Sequence, residues 1–361
     1  MKLRRLALAG VAVAITLMAT ACSAPSSPSG SATPAQSAVA DSDAMTATLG
    51  YISAGLPDMS GKKIAYIAEC ATENTYCQTR LTGAQDAAAK IGADLTLFNA
   101  GFDPAAQLPQ VQDAIQRGFD GYVFSPVADS SGCAEFQLLK ATGKPVVNIN
   151  SPMCGNPDFT DGTDGFVAMQ TESFFQEHVE NAFASCTSAC KAVAVGGYVG
   201  SDLYTRWETA ITAAKAKYPN VTVVSDQPGS FDAATALTVV QDALSSNPDV
   251  SVVVSSWDDM TRGAEQAIVA AGKKPGTDVR IYSVGGTKNG VAEVAAATWN
   301  STTVLLPYEE SYYGVVQLAN ALKTGDATTG FTYLAESPVV TGGPGSIFVT
   351  ADNASKFTPE Y

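Results

Sequence analysis

Residues 102–126 read FDPAAQLPQVQDAIQRGFDGYVFSP, and 129 positions later the chain returns to FDAATALTVVQDALSSNPDVSVVVS. Phe102-Asp103 answers to Phe231-Asp232, and the run Val111 to Ile115 answers to Val240 to Leu244. In each copy, apolar residues at helical spacing (Leu108, Val111, Ile115; Leu237, Val240, Leu244) precede a Gly or Pro break and a short apolar run. The pattern predicts helix, turn and buried strand, twice. One repeat at this distance is too widely spaced for a solenoid, whose units run about 20–50 residues, and predicts two similar α/β lobes. Open α/β sheets bind ligands beyond the carboxyl ends of their strands, so two facing lobes share one crevice.

Around the repeat, apolar runs alternate with helical patterns. Strands are expected at Lys63–Glu69, Leu95–Phe98, Tyr122–Phe124 and Pro145–Asn150, then at Ala192–Val195, Val221–Ser225, Val250–Ser255, Val279–Val284 and Thr302–Leu306. Helices are expected between them, including Phe166–Ala184 and Glu309–Lys323. This alternation predicts parallel sheets covered on both faces: two similar doubly wound lobes joined by a multi-strand hinge. The first lobe takes residues 61–162 plus 308–332 and the second 163–307 plus 333–361. The Gly-rich DGTDG at 161–165 is the first candidate hinge.

Residues 1–22 pair a basic start (Lys2, Arg4, Arg5) with an apolar run from Leu6 to Met18. That run falls short of the roughly 20 residues a spanning helix needs, and its flank is a cleavage pattern, so it predicts export. Ala19-Thr20-Ala21-Cys22 resembles the lipobox of bacterial lipoproteins, which implies lipidation at Cys22, with ordinary secretion as the alternative. Residues 23–60 are rich in Ser, Ala, Pro, Thr and Gly and are expected to form a flexible tether.

Loss of Lys2, Arg4 and Arg5 with the leader takes the net charge from −14 to −17. Such acidity argues against nucleic acid and anionic membrane as partners, leaving the membrane contact to the N-terminal lipid. Beyond Cys22 stand Cys70, Cys77, Cys133, Cys154, Cys186 and Cys190. In an exported chain an even count predicts disulfides; six cysteines allow 15 connectivities, and sequence neighbours suggest 70 with 77, 133 with 154 and 186 with 190. With one histidine and no Cys-x-x-Cys, no metal site and no cofactor are expected.

The stretches GKKIAYI, FDGYVFSP, GKPVVNI, NPDVSVVVSSWDDMTRGAEQAI and YYGVVQLANAL, spread over residues 61–340, resemble the type I periplasmic binding proteins. The resemblance is to the sugar-binding branch, with the ribose- and galactose-binding proteins of ABC importers. It implies a monomeric receptor that closes over one small polar molecule, outside the cytoplasm, and presents it to an ABC permease with its ATPase. It also implies ligand roles for Asn74, Tyr76, Asn150, Arg206, Phe231 and Asp258. Trp257 stands where the family has Asn, Gly285 where sugar binders often keep Asp, and Ser151 where they keep Arg. Losing a carboxylate and an arginine removes charge-assisted bonds to hydroxyls, so a ligand with more apolar surface is expected.

The same residues carry physical roles of their own. Tyr76, Phe231 and Trp257 offer flat faces to the C–H side of a sugar, against the alternative of core packing. Arg206 presents a rigid fork of donors, against an ion pair with Glu208. Asp258 and Asp259 open a helix, where one can cap it while the other faces ligand. Enzymes are the competing class, yet no G-x-S-x-G, Walker A or G-x-G-x-x-G run is present, and His178 lies in an apolar helix. A sensory receptor for a membrane kinase would use the same clamp, and the adjacent acids Asp258 and Asp259 leave a glycoside-processing enzyme as the remotest reading.

Overall fold

The repeat sits at matching positions in two six-stranded sheets. The computed structural model describes residues 42–342 and 346–361, so the leader, Cys22 and the tether as far as residue 41 lie outside the described residues. The first sheet contains β1 (Lys63–Ala68), β2 (Asp94–Asn99), β3 (Gly121–Phe124), β4 (Val146–Asn150), β5 (Gly165–Ala168) and, late in the chain, β11 (Thr332–Tyr333). The second holds β6 (Cys190–Gly196), β7 (Val221–Pro228), β8 (Val250–Ser255), β9 (Arg280–Gly285), β10 (Ser301–Val304) and β12 (Phe348–Val349). Their orders, β11-β5-β4-β3-β1-β2 and β12-β10-β9-β8-β6-β7, are the same doubly wound order met twice. All pairs are parallel except β10 with β12.

The helices are α1 (Ser42–Ser53), α2 (Thr75–Ile91), α3 (Pro104–Arg117), α4 (Asp129–Lys140), α5 (Glu172–Ala184) and α6 (Asp202–Lys217). There follow α7 (Ala233–Ser246), α8 (Asp258–Ala270), α9 (Lys288–Ala295), α10 (Pro307–Thr324) and α11 (Pro338–Gly342). Strands β3 and β4 are buried along their whole length, as central parallel strands covered on both faces must be. No helix among the described residues is long and apolar enough to cross a membrane.

Local chemistry explains why the repeat folds alike in both places. Asp103 and Asp232 are the N-caps of α3 and α7, accepting from the backbone N–H groups of Ala105 and Thr235. Just before each cap, Phe102 and Phe231 take left-handed backbone angles, φ +63° and +54°. Such angles are unusual for bulky residues and hold each ring at the mouth of its strand–helix turn.

Three expectations need correction. Residues 165–168 form β5 in the first sheet, so the first lobe runs past residue 162 and the chain crosses after DGTDG, between Ala168 and Glu172. The short apolar run Gly165–Ala168 reads as helix by composition, but Thr171 caps α5 by accepting from Phe174 N and sets its start. Residues 42–53, expected within the tether, form α1, whose Ala44, Met45 and Thr48 are buried; Thr48 Oγ1 accepts from Gln317 Nε2 on α10 at 2.9 Å. Met45 in the core, Leu49, Tyr51 and Ile52 packed against it, and hydroxyl contacts at Thr48 and Tyr51 dock a segment whose composition alone signals no core. β11 also keeps Thr332 and Tyr333 in the first sheet.

The chain crosses between lobes again at Leu305–Leu306, before α10, and between Tyr333 and Phe348. Helix α10 then packs so closely on α2 that a Cβ at Gly83 would stand 2.2 Å from Tyr308 O. The structure brings the sulfurs of Cys70 and Cys77, Cys133 and Cys154, and Cys186 and Cys190 together as pairs.

Candidate functional site

Strand ends from both sheets converge on one cleft. Glu69 follows β1, Phe102 follows β2, Pro126 follows β3, and Asn150 closes β4; opposite them Tyr198 follows β6, Phe231 follows β7 and Trp257 follows β8. Two adjoining cavities share the walls Glu69, Phe102, Leu203 and Phe231. The smaller, termed inner because it lies against Tyr76 and Trp257, is about 100 Å³ and adds Asn74, Tyr76, Gln170, Trp257 and Asp259; the larger, termed outer, is about 410 Å³ and reaches Pro126–Ala128 and Tyr198–Asp202.

Of the expected site residues, Tyr76, Trp257 and Phe231 meet in an aromatic cage. Tyr76 and Trp257 stand edge to face at 5.7 Å between ring centroids, and Phe231 meets Trp257 at 6.4 Å. Asn74 lines the inner cavity while its Oδ1 caps α2 at Cys77 N, 2.9 Å away. Asn150 lines the outer cavity in a left-handed conformation, φ +71°, and donates to the Tyr76 hydroxyl at 2.9 Å.

Arg206 is placed between the lobes. It is buried on α6 and reaches across the lobes, donating to Gln170 O at 3.0 Å and, at 3.4 Å, to Ser151 Oγ and Pro152 O. Those carbonyls occupy its fork, so it ties the lobes together beside the cavities rather than lining them. Asp258 is also turned away. Its carboxylate accepts from Ser283 Oγ (2.6 Å), Thr302 Oγ1 (2.8 Å), Thr287 Oγ1 (2.8 Å) and Thr287 N (3.0 Å). Burial pushes its carboxyl up to about 6, with those donors pulling the other way. A Cβ at Gly285 would lie 2.6 Å from that carboxylate, so Gly285 stands where it does to admit it. The neighbour, Asp259, faces the inner cavity instead.

Several functional groups escaped the sequence. Arg80, fully buried on α2, bonds Glu69 Oε1 at 2.7 Å and Ser125 Oγ at 2.9 Å and pairs with Glu310 Oε1 at 2.8 Å. Tyr76 donates to Glu310 Oε2 at 3.2 Å. Burial raises the Glu310 carboxyl to about 7 despite Arg80, whose charge is shared with Glu69. Tyr361 stacks on Trp257 (6.1 Å, 27°), meets Tyr76 at 5.9 Å, and donates to Gly285 O at 2.9 Å. Phe102 was within reach of the repeat, since its counterpart Phe231 already stood among the candidates.

His178, on α5, is buried against β10, its Nδ1 2.8 Å from Thr303 Oγ1, and burial lowers its pKa to about 3. It does not line either cavity.

Residues 64–327 match the family model described as the periplasmic binding protein domain. The chain is similar to the ribose import binding protein of Haemophilus influenzae, 26% identical over 264 residues that cover 71% of this chain and 85% of that one. It is also similar to the xylitol-binding protein of Mycolicibacterium smegmatis, 25% identical over 236 residues, 65% of this chain and 63% of the relative. Among solved structures, the Caulobacter myo-inositol binding protein superposes with a TM-score of 0.71 at 18% identity, covering 84% of this chain and 98% of that one. A Mycobacterium smegmatis protein in complex with β-D-fucofuranose gives 0.63 at 27% identity, covering 74% and 87%. Two doubly wound lobes, a cleft built from their strand ends and the family match agree: the chain belongs to the type I periplasmic binding proteins, in the sugar-binding branch.

Proposed function

We propose that the protein is an extracytoplasmic solute-binding lipoprotein, anchored through Cys22, that closes over a small sugar or polyol and delivers it to an ABC permease with its ATPase. The observation that carries the reading is the cage of Tyr76, Phe231 and Trp257 drawn from both lobes, set beside the carboxylates of Glu69 and Asp259 and the amide of Gln170. Aromatic faces serve the C–H side of a polyol and the acids and amide serve its hydroxyls. Cys70–Cys77, Cys133–Cys154 and Cys186–Cys190 act as disulfides; the first closes the loop that presents Asn74 and Tyr76. The protein binds without chemistry, as its single histidine is buried away from the cleft.

Calorimetry and thermal shift against glycerol, xylitol, D-ribose, D-galactose, myo-inositol, amino acids and nucleosides test this. A sugar or polyol at 100 times its Kd should stabilise the fold by about 2.7 kcal/mol. Saturable binding confined to amino acids or nucleosides would sink the sugar reading. Mass spectrometry of the membrane fraction tests the anchor, which fails if Cys22 carries no lipid.

A further inference from the structure

Both cavities carry polar groups, and the outer has about four times the volume of the inner, 410 against 100 Å³. Together they fall within the range of about 300–1,000 Å³ common for small-molecule sites, whereas the inner cavity alone lies well below it. The two differ in chemistry as well as size. Phe102, Pro126, Val127, Tyr198, Val199 and Leu203 surround the outer cavity with apolar surface from both lobes.

The polar groups that line the outer cavity alone are bonded within the protein. Asn150 is taken up by Tyr76 and Ser151, and Ser201 caps α6 at Tyr204 N. Asp202, which lines the cavity, accepts from Asp129 N on the other lobe, so the lobes touch beside the chamber. Among the described residues, six large hydrophobic side chains are exposed, and three of them, Phe102 (42%), Tyr198 (49%) and Val199 (71%), border this one chamber. Single exposed apolar residues need no explanation, but a cluster at a cleft does.

We infer that the outer chamber is a second subsite that takes an apolar substituent carried on the ligand's sugar or polyol head. The ligand class is then a glycoside or polyol ether with an aryl or short alkyl group. This rests on the sugar-binding reading of the inner cavity. Phe102 and Phe231, shared by both cavities, hold the junction between head and substituent.

Matched pairs measured by calorimetry test it: glycerol with 1-O-phenylglycerol, methyl with phenyl β-D-ribofuranoside, and methyl with phenyl β-D-galactopyranoside. For the heads that bind, the phenyl compound should be at least about tenfold tighter, with a more negative heat-capacity change, as burial of an aromatic ring requires. Val199→Asp, at an exposed position outside the inner cavity, should erase that gain and leave the unsubstituted head unchanged. Binding of the heads with no gain from phenyl overturns this inference alone. Phenol binding as tightly as the phenyl glycosides also overturns it, since the two chambers would not serve one ligand. Silence of every head and every pair overturns it together with the sugar-binding reading.

Discussion

Behind the first lobe's wall of the cleft, Arg80 is shared by Glu69 and Glu310; behind the second lobe's wall a single carboxylate, Asp258, rests among the hydroxyls of Ser283, Thr287 and Thr302. The strand order is the same and so is the Phe-Asp turn. One lobe therefore backs its polar wall with an arginine between two carboxyls, while the other backs its wall with a carboxylate held by neutral donors. The repeat fixes where a wall stands, and the side chains that back it decide what it contributes. Even the paired phenylalanines diverge. Phe231 packs over Gly197, where a Cβ would stand 2.5 Å from its ring, while Phe102 is 42% exposed.

Breaking the charged side should have the largest effect. Arg80→Met leaves two buried carboxylates without their cation and should cost about 3–5 kcal/mol, measured by urea unfolding. Asp258→Asn keeps several of its hydrogen-bond partners and should lose about 1–2 kcal/mol. Equal losses from the two would erase the contrast between the lobes. Next in size, Trp257→Ala removes the ring that meets Tyr76, Phe231 and Tyr361 and should weaken the tightest sugar or polyol of the panel by about 2–3 kcal/mol, read by calorimetry.

The acids separate the lobes by pH. Burial raises Glu310 from 4.5 to about 7 and Asp258 from 3.8 to about 6. Each adds stability that is complete below its unfolded value and is lost as pH rises through its folded one. Between pH 6 and 7 the fading contribution comes from Glu310, together with Glu135 on α4, which burial also raises to about 7, more than from Asp258. The urea midpoint of Glu310→Gln should thus lack part of the wild-type decline across that interval, while Asp258→Asn keeps it; parallel profiles for all three proteins would contradict this. The smallest effect lies in the turns. Phe102→Gly relieves a left-handed backbone and should gain about 0.5–1 kcal/mol, whereas Phe231→Gly, stripped of packing, should lose stability. A gain at both positions would mean that the two copies are alike.

Much of the fold was legible because parallel strands buried on both faces must be apolar and their helices must be capped. Val250–Ser255 and the bodies of α6 to α10 fall where periodicity puts them. β5 was missed because four apolar residues carry no period, and α1 because its docking depends on α10, over 250 residues away. At the cleft, Phe231 and Trp257 stand after strand ends, where the sequence already puts them, and Tyr76 in the first turn of α2. Arg206 and Asp258 shared that placement, but their fates turn on partners that only folding supplies: the Gln170 carbonyl for one, Ser283 and Thr302 for the other. Glu310 and Tyr361 reach Tyr76 and Trp257 from distant segments, with no local signal to mark them.

The central claim is that two lobes close over one small molecule, and hydrogen exchange tests it most directly. With the tightest binder of the sugar and polyol panel at saturation, amides at 69–77 and 126–128 of the first lobe and at 198–203 and 257–259 of the second should slow together. Protection confined to one lobe, with the other unchanged, would contradict the account.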